Sequence, residues 1–167
     1  MATQNLGPMQ PVHNIKPYKR VQGTHEIEHF FWAAAELEVD KEDLKRYYNF
    51  IDHKIADLLL MAQRTAMSNE RMAVELRDLP LTKGLEESIR AFEKLDLDIG
   101  LERILGQEVP EPQDDLPYNE ETESRLPAIA GGLSLALART FKVIDPAMKH
   151  PGTETWERAF EIFDLLL

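Results

Sequence analysis

The chain has 167 residues, of which 43% are hydrophobic and 29% charged, with no cysteine and a formal net charge of −11. A composition in this range excludes a disordered or fibrous chain, and the absence of cysteine excludes disulfides and thiolate metal sites. The length suits one domain, or two small units sharing one core.

No stretch approaches the ~20 apolar residues that span a bilayer. The greasiest segments are Leu58 to Ala62 and Leu133 to Ala138. No basic start followed by an apolar segment marks the N-terminus for export. A cytoplasmic protein, away from membranes, is the expectation. Its charge is uneven. Residues 1–25 hold Lys16, Lys19 and Arg20 and no acid, so residues 26–167 hold the other 16 basic and all 30 acidic side chains, a formal −14. An acidic body behind a basic, proline-containing arm over 1–24 is not the coating of a protein that wraps nucleic acid.

In chain order, helical periodicity dominates and no run alternates as a strand does. A first helix over about 25–37 carries Phe30, Phe31, Trp32, Ala34 and Leu37. Asp40, with Asp43 three residues on, is an N-terminal cap for a long helix reaching about Asn69. That helix carries the stripe Leu44, Tyr47, Tyr48, Ile51, Ile55, Leu58, Leu59 and Ala62. Asp78-Leu79-Pro80 reads as the start of a third helix, because proline tolerates the first turn; Leu81, Leu85, Ile89 and Phe92 continue it. Ile99, Leu101, Ile104 and Leu105 make a brief fourth helix that ends at Gly106. After a loop with Pro110, Pro112 and Pro117, Asn119 caps a second long helix over about 119–144, and Trp156, Phe160, Phe163 and Leu167 mark the last. Six helices result, in two triplets with a long middle member.

Short, long, short resembles the histone fold. Arg71 and Asp78, seven apart with Val74 between them, resemble the arginine–aspartate clamp that follows the long helix in histones. Several blocks are similar to the bacterial doublet histone-fold family, a domain of unknown function. They are Val39 to Tyr47, Asp57 to Gln63, Asp78 to Leu85, and Glu121 to Pro146 with its Gly131-Gly132 pair. The resemblance covers about 30–167 and implies an all-α tandem pseudodimer. Its first half would span 25–95 and its diverged second half 96–167, with the two long helices crossing. The second half has no arginine–aspartate clamp between Ile144 and Trp156 and carries Pro127 early in its long helix. Glycines inside a helix cost about 1 kcal/mol each relative to alanine, so Gly131 and Gly132 point to a close backbone approach.

Candidate chemistry is sparse. His25-Glu26-Ile27-Glu28-His29 matches the H-E-x-x-H pattern of zinc hydrolases, but Ala35 stands where a third histidine would follow. Glu42 is a ligand that spacing alone leaves open. Asp96, Asp98 and Gly100 hint at a calcium loop with the glycine one place early. Gly132-Leu133-Ser134 approximates a nucleophile elbow but lies inside a helix. The expectation is a protein without catalytic activity, cofactor or metal. On histone geometry, one tip gathers Lys41 and Lys45 with Lys142, Lys149 and His150, and the other sets Arg71 and Arg77 against the acidic stretch Glu108 to Asp115. A protein partner is favoured. Weak, salt-sensitive DNA binding through Lys16, Lys19, Arg20, Lys41, Lys45, Lys142 and Lys149 is the alternative, and a metal-dependent hydrolase on His25, Glu26 and His29 a more distant one.

Overall fold

The computed structural model describes residues 23–107 and 116–167. The arm residues Lys16, Lys19 and Arg20 and the acidic stretch Glu108 to Asp115 lie outside the described residues. The elements are α1 (Thr24–Ala35), α2 (Lys41–Ser68), a 3-10 turn (Leu76–Asp78), α3 (Lys83–Asp96), α4 (Leu101–Leu105), α5 (Glu120–Ile144) and α6 (Thr153–Leu166). Among the described residues there is no strand, only an isolated parallel bridge between Val74 and Tyr118. The fold is all-α.

Side-chain capping explains where α2, α3 and α5 start. The Asp40 side chain accepts from the backbone N–H groups of Glu42 and Asp43 at 2.8 and 2.9 Å, and Asp43 Oδ2 accepts from Asp40 N at 2.9 Å, a reciprocal capping box. Asn119 caps α5 through Thr122 N at 2.9 Å. The third helix starts later than the sequence predicts. Asp78 does not open it; Thr82 caps α3, accepting from Leu85 N at 3.2 Å. Leu79 is extended, with ψ 129°, as the residue before a proline prefers. The Asp78 carboxylate is already engaged by Arg71 and by Glu75 N.

Asp96 has a similar local role. Its two oxygens accept from Leu101 N at 2.6 Å and Glu102 N at 3.0 Å, so the carboxylate that hints at a calcium loop instead satisfies the open N-terminus of α4.

The second long helix, α5, lies at the centre and touches α1, α2, α3, α4 and α6. By length and composition it is apolar enough to cross a membrane, yet 61% of its most apolar window is buried inside the protein. Its residues Leu126, Ile129, Leu133, Leu137 and Phe141 are all buried. Gly131 and Gly132 face α3. A methyl group at Gly131 would overlap the Phe92 ring, and one at Gly132 would come within 2.9 Å of Ile89 N.

Where α2 meets α5, the Tyr47 hydroxyl and Ser134 Oγ share a buried 2.8 Å hydrogen bond, and Ser134 donates to Ala130 O at 2.7 Å. The serine of the apparent nucleophile elbow is thus a packed helix residue. On the other side, α6 lies along α2: Phe50 stacks on Phe160 with ring centres 5.4 Å apart, and Trp156 Nε1 donates to Asp43 Oδ1 at 2.7 Å.

Gly131→Ala is expected to destabilise the fold by about 1–3 kcal/mol through overpacking, outweighing the gain of about 1 kcal/mol in helix propensity. Gly84→Ala, where an added methyl meets nothing within 4 Å, is expected to stabilise it. Urea denaturation of the two variants checks both signs.

Candidate functional site

Two loop tips gather the residues singled out in the sequence. At the first, the chain leaves α1 through Glu36 in a left-handed conformation, φ 51°. Glu38 N then donates to Lys149 O at 2.8 Å. His150 Nε2 lies 3.4 Å from Glu38 Oε2, and Arg46 donates to Thr153 Oγ1 at 2.8 Å. The α1–α2 and α5–α6 loops are therefore adjacent.

The tip brings the lysines together without making a cationic surface. Lys45 is paired with Glu42 at 2.6 Å, and the half-buried Lys142 donates to Met148 O. Lys41 and Lys149 are exposed. Over residues 36–46 and 142–154 there are five lysines and arginines against seven carboxylates. A duplex needs several unopposed cations to displace its counterions, and this tip offers a mixed-sign surface.

Asp43 is the buried centre of the tip. Its carboxylate accepts from Trp156, from Asp40 N and, at 3.3 Å, from Arg46. Burial pushes its pKa above the ordinary carboxylate range, against the opposing pull of the Asp40 N–H and the Trp156 N–H. A carboxyl raised in this way holds its proton more tightly in the folded state than in the unfolded chain. Its contribution to stability is therefore fully present below the ordinary value of about 3.9 and falls as pH rises through the raised value. Asp43→Asn has no such titration, so the stability gap between wild type and variant is expected to narrow over that interval in thermal melts run as a pH series.

The second tip joins the α2–α3 loop to the segment before α5. Val74 N donates to Pro117 O at 2.8 Å and Asn119 N donates to Val74 O at 2.9 Å, with Val74 fully buried. Arg71 and Asp78 form an ion pair across this loop, and Asp78 Oδ2 also accepts from Glu75 N at 2.9 Å. The pair brackets Val74, so it holds the loop in the shape that bridges to Pro117 and Asn119. Arg77 is exposed and paired with Glu75 at 2.6 Å. Beside them, a groove of about 760 Å³ runs over Leu76, Leu79 and Ile89, with Arg90, Glu121 and Arg125 at its rim.

Asp78→Ala strands a largely buried guanidinium, and breaking a buried pair costs about 3–5 kcal/mol. Because the Arg71 side chain keeps a fifth of its surface in water, the lower end of that range is expected by chemical denaturation.

His25 and His29 lie on one exposed face of α1 with ring centres 6.3 Å apart. Glu42 is engaged by Lys45, and no group of three or more metal-ligating side chains exists among the described residues. Among the described residues, the H-E-x-x-H pattern has no third ligand of the kind that a zinc hydrolase requires beside it.

Sequence reasoning missed Lys54. It is buried and pairs with Asp57 at 3.2 Å and with Asp164 of α6. The signal was a lysine standing on the apolar stripe between Ile51 and Leu58, where only a paired ammonium is tolerable.

The family model described as "Domain of unknown function (DUF1931)" matches residues 27–164. The chain belongs to this family. An uncharacterized protein of Aquifex aeolicus (strain VF5) is 27% identical over 164 residues, covering 96% of this chain and 95% of that protein. The crystal structure of a Thermus thermophilus protein is similar at a TM-score of 0.76 and 43% identity, over 86% of this chain and 97% of its own. A crystal structure of an Aquifex aeolicus protein is similar at a TM-score of 0.73 and 27% identity, over 90% and 99%. The family match takes in both tips, the whole of α2 to α5 and most of α1 and α6 of the DUF1931 chain.

Proposed function

We propose that this family member is a histone-fold pseudodimer in one polypeptide that acts in the cytoplasm as a non-catalytic interaction module for a protein partner. Several contacts support the architecture. The loop after α2 pairs with the loop before α5 through Val74, and the loop before α2 pairs with the loop after α5 through Glu38 and Lys149. The third helix of the first triplet packs on the long helix of the second, at Gly131 and Gly132, and α6 packs on α2, at Phe50 and Asp43. This reciprocal exchange between 25–95 and 96–167 is the relation of two subunits shaking hands. Fusion on one chain removes the concentration dependence of such pairing, and each half alone falls in the size range where burial is marginal.

One observation carries the choice of partner. Leu60, Met61 and Met67 on the outer side of α2, and Met72 just beyond it, are exposed, on a chain whose basic side chains at the tips are largely paired. Exposed flexible methionines and leucines suit an adaptable protein contact. Lys41 and Lys149 at one tip favour a second reading, weak DNA binding aided by the arm residues Lys16, Lys19 and Arg20.

Anisotropy of a labelled duplex, titrated with the full chain at low and physiological salt, separates the two. No binding at physiological salt, with proteins recovered from lysate that are lost several-fold on Met61→Glu and Met67→Glu substitution, is the expected outcome. Duplex binding that survives physiological salt and weakens when 1–22 is removed would replace the protein reading with the DNA one.

A further inference from the structure

We infer that His25 and His29 form a two-point clip for a divalent transition-metal ion of the zinc, nickel or copper class. Since no third ligand stands beside them among the described residues, the remaining coordination positions are left to water or to another ligand. The motif is left unused by the interaction reading and stands independently of it.

The helix supplies the geometry. Gly23, in the left-handed region at φ 105°, precedes the first residue of α1, and Ile27, Phe30 and Phe31 bury the opposite face completely. The backbone that carries the two histidines is thereby fixed against the core. Residues four apart on a helix are surface neighbours, and two imidazoles so placed hold one ion together. Their rings are 6.3 Å apart at an interplanar angle of 28°. Two imidazole nitrogens each about 2.0–2.1 Å from one ion bring the ring centres to about 5 Å, so closure needs a movement of about 1 Å. Both rings are exposed, and that movement displaces only water.

Imidazole selects zinc, copper and nickel over the hard cations that carboxylates prefer. Glu28 lies between the two histidines on the exposed side of α1, and the acidic body favours approach of a cation. With two protein ligands, the ion is exchangeable and not structural. A pair of this kind suits a metal-dependent contact in which a partner donates the third ligand.

The chain carries its own reporter. Trp32 is 52% exposed and lies three residues beyond His29, about 4.5 Å of helical rise away. The other tryptophan, Trp156, is buried. Paramagnetic Cu2+ held at the clip quenches Trp32 at short range.

The test is a titration of the full chain with Cu2+ followed by tryptophan emission, and with Zn2+ followed by calorimetry. One saturable equivalent that quenches emission is expected. His25→Gln and His29→Gln should each weaken binding at least tenfold while leaving the melting temperature unchanged, since both side chains are exposed. Trp32→Phe should remove the saturable quench and leave the Zn2+ heat. The inference is overturned by the absence of a saturable quench, by binding that survives both histidine substitutions, or by equal loss on replacing His13, His53 or His150.

Discussion

The close approach of α3 to α5 is the constraint from which the rest of the fold follows. Phe92 and Ile89 occupy the space that side chains at residues 131 and 132 would need. Because those positions are glycine, two helices touch backbone to side chain in the middle of the molecule. That contact lets α5 remain central while α1, α2, α4 and α6 pack around it. Loss of helix propensity at two adjacent glycines is offset by the apolar surface that the approach buries.

Around this centre, polar side chains set orientation. The Tyr47–Ser134 hydrogen bond fixes the crossing of α2 and α5. Asp43 and Lys54, both buried, tie α2 to α6 at Trp156 and Asp164. Arg71 and Asp78 hold the loop whose Val74 bridges to Pro117 and Asn119. Tyr47, Ser134, Asp43, Lys54 and Asp78 are each buried with a partner, and a buried polar group is stable only when so satisfied. The pattern gives one packing and rejects slippage of the helices past one another, because a shift of one turn would strand several of the groups at once.

Surface charge follows a different logic. The α1–α2 and α5–α6 loops, which carry lysines, meet at one tip. The surrounding carboxylates come with them, and Lys45 and Lys142 are engaged. Adjacency of loops did not create a basic surface. Away from the tips, exposed apolar side chains stand on the outer side of α2 with Met72, and on the last turn of α6 with Leu165 and Leu166.

Much of the fold was legible from local chemistry. Asp40 and Asn119 cap helices at the residues where they stand, and the apolar spacing of α2 and α5 is visible in the chain, because capping and amphipathicity involve neighbours within four residues. Asp78 was misplaced for the opposite reason: its carboxylate is taken by Arg71, a partner seven residues away, so the local helix-start signal lost and α3 began at Thr82. The position of Gly131 and Gly132 announced a close approach, but only the tertiary structure decided that α3 supplies the partner. The same division holds for the surface. Residue types and spacing determined that His25 and His29 share a face and that lysines cluster near two loops, whereas the pairing of Lys54 with Asp164 and of Asp43 with Trp156 was decided by contacts more than 100 residues apart in sequence, which no local pattern encodes.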